Sequence, residues 1–249
     1  MPPQSVIPAP LQPGSRIRVI APSGPFDRTL VLRGIGWLGQ RYRVEFDWSI
    51  FERNGYLAGS DARRLSELNA ALTDPGLSAI IAARGGYGLT RIAHLADYGA
   101  LRRHPKWIIG FSDITALHVE AATLGVATMH GPNAAALGRS DDWTRQRFVH
   151  ALEAPQAKTR FAGLRTLRPG LVRGRLAGGN LSLLFACRAA GRLNLPAGAI
   201  LLIEEKATDA LRIADDFLIL EAGRVQWAGP AASVDLNIAA AAYLGVAAQ

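Results

Sequence analysis

Cysteine is almost missing from this chain, and its scarcity removes several chemistries at once. Cys187 is the only cysteine among 249 residues, so no internal disulfide and no cysteine-ligated zinc site can form within it. The residue is expected as a small core side chain on a helix. Long apolar runs are missing too: no stretch approaches the roughly 18 residues that a membrane-spanning helix requires. Met1-Pro2-Pro3-Gln4 opens with no basic segment and no apolar run behind it, unlike a secretory leader. These absences predict a soluble, cytoplasmic protein without membrane contact. The glycine turn Arg84 to Gly88 is not G-x-G-x-x-G, and no acidic residue stands at the usual distance after a matching strand, which argues against a dinucleotide site. Nucleic-acid motifs are missing despite a formal charge of +8. The arginines are scattered, with doublets at Arg63-Arg64 and Arg102-Arg103 and a looser group from Arg160 to Arg175. A diffuse basic surface steers acidic small molecules and is poor support for a nucleic-acid partner.

What is present fits a folded α/β protein. A hydrophobic content of 49% over this length supports a full core. Arg16 to Ala21 reads as a strand ending in the turn Pro22-Ser23-Gly24-Pro25, and Thr29 to Leu38 as the helix that leaves it. Tyr42 to Phe46 is a second strand. Asp61 is placed to cap a helix through Leu72, which Asp74-Pro75-Gly76 stops. Ser78 to Ala83 reads as a buried strand running into Arg84-Gly85-Gly86-Tyr87-Gly88, with a helix from Leu89 to about Leu95. From Gly138 to Arg175 the sequence turns polar and arginine-rich, with one helix expected from Asp142 to Leu152. A second unit follows: a strand and glycine turn at Gly174 to Gly179, a helix capped near Asn180, a strand from Ala199 to Glu205 and a helix from Ile213 to Leu220. The expected domains are 1–140, a connection over 141–172, and 173–249.

Alternating strands and helices with short links predict a mostly parallel sheet covered on both faces. In such sheets ligands collect beyond the carboxyl ends of the strands. Pro22-Ser23-Gly24, Arg84 to Gly88 and Phe111-Ser112-Asp113 all stand at strand ends, so they are expected to converge on one crevice.

Ser112 is the focus. An apolar run from Trp107 reaches Gly110, Phe111-Ser112-Asp113 interrupts it, and helical spacing returns from Ile114 to Leu124. A serine on a sharp strand-to-helix turn suits a nucleophile, because the first N–H groups of the helix can receive a developing oxyanion. The same serine suits a plain helix N-cap, and the second glycine of G-x-S-x-G is missing. Both roles stay open on the residues alone. For Gly85 and Gly86, close approach of a substrate and a tight turn are equally compatible.

Several segments together resemble the LD-carboxypeptidase family of serine peptidases, which includes the microcin-immunity peptidases. They are Ile20-Ala21-Pro22-Ser23-Gly24, Arg84-Gly85-Gly86-Tyr87-Gly88, Gly110-Phe111-Ser112-Asp113-Ile114-Thr115 with His130-Gly131-Pro132, Gly178-Gly179-Asn180-Leu181, and Leu202-Ile203-Glu204-Glu205. Order and spacing hold from about residue 14 to residue 220. The resemblance implies a flavodoxin- or amidotransferase-like N-terminal α/β domain, a smaller C-terminal β/α domain and a site between them. It implies Ser112 as nucleophile, the N–H groups of Gly86 and Asp113 as oxyanion hole, and Glu204 as acidic triad member, with Glu205 the less favoured register. Arg84, Tyr87 and Asn180 are the implied substrate contacts. The implied reaction frees the terminal D-amino acid from the L,D-peptide bond of a cell-wall muropeptide through an acyl-enzyme. It needs no metal or cofactor. A homodimer is implied as well.

One departure stands beside these matches. The family's triad histidine follows its glutamate in a Gly-His-Gly-like loop, whereas His94, His104, His118, His130 and His150 all precede Glu204. Two expectations follow: an enzyme whose base lies in a loop that this sequence omits, or a family member that binds cell-wall peptides without cutting them. Within the sequence, His118 is expected to pack in the helix after Ser112 and His130 to be structural.

Overall fold

A computed structural model describes residues 5–159, 170–204, 216–221 and 224–230. The chain divides into two compact units, Met1–Pro155 with Arg175–Ile203, and Gln156–Gly174 with Glu204–Gln249.

In the first unit the main sheet has five short strands, of which the central pair, Ala79–Ala82 and Trp107–Gly110, is apolar and buried, as central parallel strands are. The strands are β1 (Arg16–Ile20), β2 (Arg43–Glu45), β3 (Ala79–Ala82), β4 (Trp107–Gly110) and β5 (Met129–His130). All four pairings are parallel, and the order is β2-β1-β3-β4-β5. This is a flavodoxin-like doubly wound sheet, whose direction of winding reverses between β1 and β3. Successive side chains alternate across it. Ile80 and Ile108 join Leu68, Leu72 and Leu117 in a core on one face. Ile81 and Ile109 join Val31, Leu38 and Phe148 on the other.

Helices α1 (Arg28–Gly39), α2 (Asp61–Thr73), α3 (Thr115–Thr123), α4 (Ala134–Leu137) and α5 (Asp142–Glu153) supply those partners. Phe148 and Leu152 of α5 are buried, so this part of the expected 141–172 connection is core. The α2 cap is Ser60, whose side chain accepts from the Arg63 N–H, and Asp61 is the first helical residue. Leu89 to Leu95 is two 3₁₀ turns, Leu89–Arg91 and Ala93–Leu95, broken at Ile92. The first unit closes with β6 (Leu176–Asn180), α6 (Leu181–Ala189) and β7 (Ile200–Glu204), whose strands pair. Glu204, the last residue of β7, is counted in the second unit.

The described strands of the second unit are β8 (Asp216–Glu221) and β9 (Arg224–Pro230), an antiparallel pair with an irregularity between Ile219 and Leu220. This corrects the helix expected over 213–220. Phe217-Leu218-Ile219-Leu220 is a short apolar run, which periodicity cannot divide between strand and helix, and pairing with β9 decides it. Glu205, Ile213 and the alanine-rich tail lie outside the described residues. Among the described residues no helix is long and apolar enough to cross a membrane.

Candidate active site

The three turns expected to converge do so at the carboxyl ends of β1, β3 and β4. The Gly24 N–H donates to the Gly85 carbonyl at 3.3 Å, which links the first turn to the second. A Cβ built on Gly85 would lie 3.1 Å from the Ser112 Cβ and 3.4 Å from the Asp113 nitrogen, which joins the second turn to the third. Gly86, at φ +113°, stands against Gly24, where a Cβ would meet the Gly24 Cα at 3.3 Å. Glycine is required here for close approach and for the left-handed backbone.

Ser112 has φ +62° and is the only described non-glycine residue at positive φ. Two residues before it β4 ends at Gly110, where a Cβ would lie 2.7 Å from the Ile114 side chain. The 3₁₀ turn Ser112–Ile114 then enters α3 directly. The N-cap position of that turn is Phe111, and no side chain caps it. Ser112 is therefore not a helix cap, and among the described residues its half-buried hydroxyl makes no hydrogen bond. A left-handed non-glycine residue costs on the order of 1–3 kcal/mol and persists only where its surroundings over-determine it.

The backbone N–H groups of Gly86 and Asp113 likewise make no hydrogen bond among the described residues, so both are available to an oxyanion. The Asp113 side chain has other work: it is 2% exposed and accepts from the Leu89 N–H at 3.0 Å. Burial pushes its pKa up.

Strand β6 reaches the same place. Gly179 packs on Thr115, which opens α3, and a Cβ there would lie 2.6 Å from the threonine methyl. The Asn180 N–H donates to Thr115 Oγ1 at 3.0 Å, and its side-chain oxygen caps α6 by accepting from the Leu183 N–H at 3.1 Å. Arg84 is exposed and donates once, to the Pro25 carbonyl at 2.7 Å. Tyr87 is 70% exposed. Glu204 is half-buried at the end of β7.

His118 is packed in α3 as expected, 7% exposed, with Nε2 2.9 Å from the Gly110 carbonyl. A carbonyl only accepts, so Nε2 carries the proton. Burial lowers the pKa to about 4, and the ring is neutral at pH 7. His130 lies with its ring centroid 5.8 Å from that of His118. Both line a cavity of about 470 Å³ that Val126, Met129, Gly178 and Leu202 share. Ser112 does not line it, so cavity and serine are separate features.

Sequence reasoning missed Arg64, Thr115 and Gly179. Arg64 was legible in one respect: it stands on the buried stripe of α2 with Leu68, Ala71 and Leu72, where an arginine is unusual.

Residues 17–131 match the profile of the LD-carboxypeptidase N-terminal domain. A Streptomyces coelicolor protein provisionally named a carboxypeptidase is 39% identical over 217 residues, covering 84% of this chain and 70% of its own length. The murein tetrapeptide carboxypeptidase of Pseudomonas aeruginosa is 35% identical over 165 residues, 61% of this chain and 53% of its own length. The chain thus spans about half to two thirds of such relatives. The crystal structure of an MccF-like protein from Bacillus anthracis superposes with TM-score 0.73 at 25% identity, over 82% of this chain and 71% of the other.

Proposed function

Because the chain belongs to the LD-carboxypeptidase family, we propose that it is a serine carboxypeptidase that frees the terminal D-amino acid from the L,D-peptide bond of a muropeptide. The observation that carries this is the left-handed Ser112, φ +62°, whose hydroxyl, like the N–H groups of Gly86 and Asp113, makes no hydrogen bond among the described residues. The Ser112 oxygen attacks the scissile carbonyl, and the N–H groups of Gly86 and Asp113 hold the oxyanion. A histidine base, which this sequence omits, takes the Ser112 proton and passes it to the departing amine of the D-amino acid, and water activated by the same base then releases the acyl group. Glu204 is the acidic member that orients the base. The exposed guanidinium of Arg84, with donors left after the Pro25 bond, receives the substrate's free carboxylate. Tyr87 and Asn180 flank it. The working protein is a cytoplasmic homodimer engaged in cell-wall peptide turnover, a state that light scattering of the purified chain tests.

A second reading is favoured by one observation: among the described residues no histidine is hydrogen-bonded to the Ser112 hydroxyl, and His118 is buried with Nε2 on the Gly110 carbonyl. A serine without a base is a poor nucleophile, and the chain would then bind muropeptides without cutting them. Incubation of the full-length protein, including any loop that carries the base, with an L,D-tetrapeptide separates the two. Release of D-alanine that Ser112→Ala abolishes supports the peptidase. Calorimetric binding without release supports the binder, and neither release nor binding rejects both.

A further inference from the structure

We propose that Arg64 is a positioning residue for this site, a buried guanidinium that fixes the turn after β1 and the glycine loop after β3 relative to each other and so sets the Gly86 N–H against Ser112. This rests on the roles given above to Ser112 and Gly86. Arg64 is 0% exposed, and its partners lie at the ends of two adjacent strands. Nη1 donates to the Pro22 carbonyl and, at 3.0 Å, to the Gly88 carbonyl. Nη2 pairs with the Asp61 carboxylate, which also takes two bonds from Arg91 at 2.7 and 2.8 Å. The buried cation is thereby balanced, as a buried charge must be.

The loop is seated on this fork. Gly88 has φ +105°, and a Cβ there would lie 3.2 Å from Arg64 Nη1. One residue on, the Leu89 N–H reaches the Asp113 carboxylate at 3.0 Å. The Gly85–Leu89 segment is therefore held at Gly85 by the Gly24 N–H, at Gly88 by Arg64 and at Leu89 by the residue after Ser112, with Gly86 between the first two of these points. Arg63 secures the neighbouring residue, donating to the Ala21 carbonyl at 2.6 Å, while Glu67 accepts from the Ala21 N–H at 2.9 Å. The Arg63-Arg64 doublet, a basic surface pair by composition, is an internal clamp. Lysine cannot replace Arg64, because an ammonium is a point donor without the planar fork that reaches two carbonyls and a carboxylate together.

The test uses the full chain with Arg64→Lys and, because a buried change can prevent folding, Asp61→Asn as a second variant. Two readouts are taken: NMR hydrogen exchange of the Leu89 and Gly24 amides, and kcat and KM for D-alanine release from an L,D-tetrapeptide. For Arg64→Lys, the expected result is exchange at least ~10-fold faster at Leu89 with β3 amides unchanged, kcat down about 10–100-fold and KM within about threefold, as for a misplaced transition-state donor. Asp61→Asn shifts the same quantities by less. Unchanged Leu89 exchange in folded variants overturns the proposal, as does faster exchange with unchanged kcat. If the full-length wild-type protein releases no D-alanine, the peptidase role fails on its own. The exchange arm then decides the clamp alone, faster exchange supporting it and unchanged exchange overturning it.

Discussion

Gly85 stands so close behind Ser112 that a Cβ built on it would lie 3.1 Å from the Ser112 Cβ and 3.1 Å from the Phe111 carbonyl oxygen. The loop after β3 thus meets the turn after β4 where Ser112 is held at a left-handed φ. The approach is tight: a side chain on Gly85 would require Ser112 or Phe111 to give way.

Gly85→Ala tests that contact. The added methyl needs a shift of a few tenths of an ångström in Ser112 or in Phe111, and overpacking of this kind costs about 1–3 kcal/mol. We expect D-alanine release to fall at least ~10-fold while urea denaturation shows a folded protein of lowered midpoint. Wild-type kcat in this variant would disconnect the contact from the chemistry.

Ser112 gives a paired prediction. Its hydroxyl caps no helix, so Ser112→Ala should not lose the ~1 kcal/mol that cap removal costs, yet turnover should vanish. Ser112→Gly should be equally inactive and more stable than Ser112→Ala, by about 1 kcal/mol, because glycine adopts φ +62° without strain. Urea unfolding of both variants measures the difference; a less stable glycine variant would show that the backbone there is not strained.

Much of this was legible in the chain and some was not, for reasons that particular residues make plain. Ile80-Ile81 and Ile108-Ile109 announce central strands because buried parallel strands are apolar on both faces, and the break at Phe111-Ser112-Asp113 marks a turn. Composition cannot show that Ser112 is left-handed, because the residue type does not favour that backbone and only the fold around the turn can hold it there. Ser60 and Asp61 are both good caps, and only the Ser60 bond to the Arg63 N–H chooses between them. Arg64 and Lys106 look like surface charge until the tertiary carbonyls that receive them are known.

His118 predicts a pH dependence. Its pKa falls from an ordinary 6.5 to about 4 through burial, so between those values the unfolded chain binds the proton and the native chain does not. The stabilisation is complete above about pH 6.5 and is lost as pH falls toward 4, by about 3 kcal/mol at ~1.4 kcal/mol per pH unit. His118→Gln keeps a donor for the Gly110 carbonyl and cannot titrate. Chemical denaturation across pH 4 to 7 should therefore show a shallower slope in the glutamine variant; equal slopes would mean that another group carries the dependence.

Lys106 is 0% exposed and ends α2 from beneath. Its ammonium donates to the carbonyls of Ala71 at 3.2 Å, Leu72 at 2.9 Å and Asp74. These belong to the last turn of α2 and the residue after it, where carbonyls lack intrahelical partners and the helix dipole favours a cation. Lys106→Met preserves the length and apolar stem but leaves those carbonyls without their donor in a site closed to water. Each orphaned group costs about 1–3 kcal/mol, and partial relaxation brings the expected total to about 2–4 kcal/mol. The loss should appear as a lower urea midpoint at unchanged m-value. Because Lys106 caps a helix and touches no part of the Ser112 turn, kcat per folded molecule should stay at the wild-type value. A drop in kcat without a drop in midpoint would contradict this structural role.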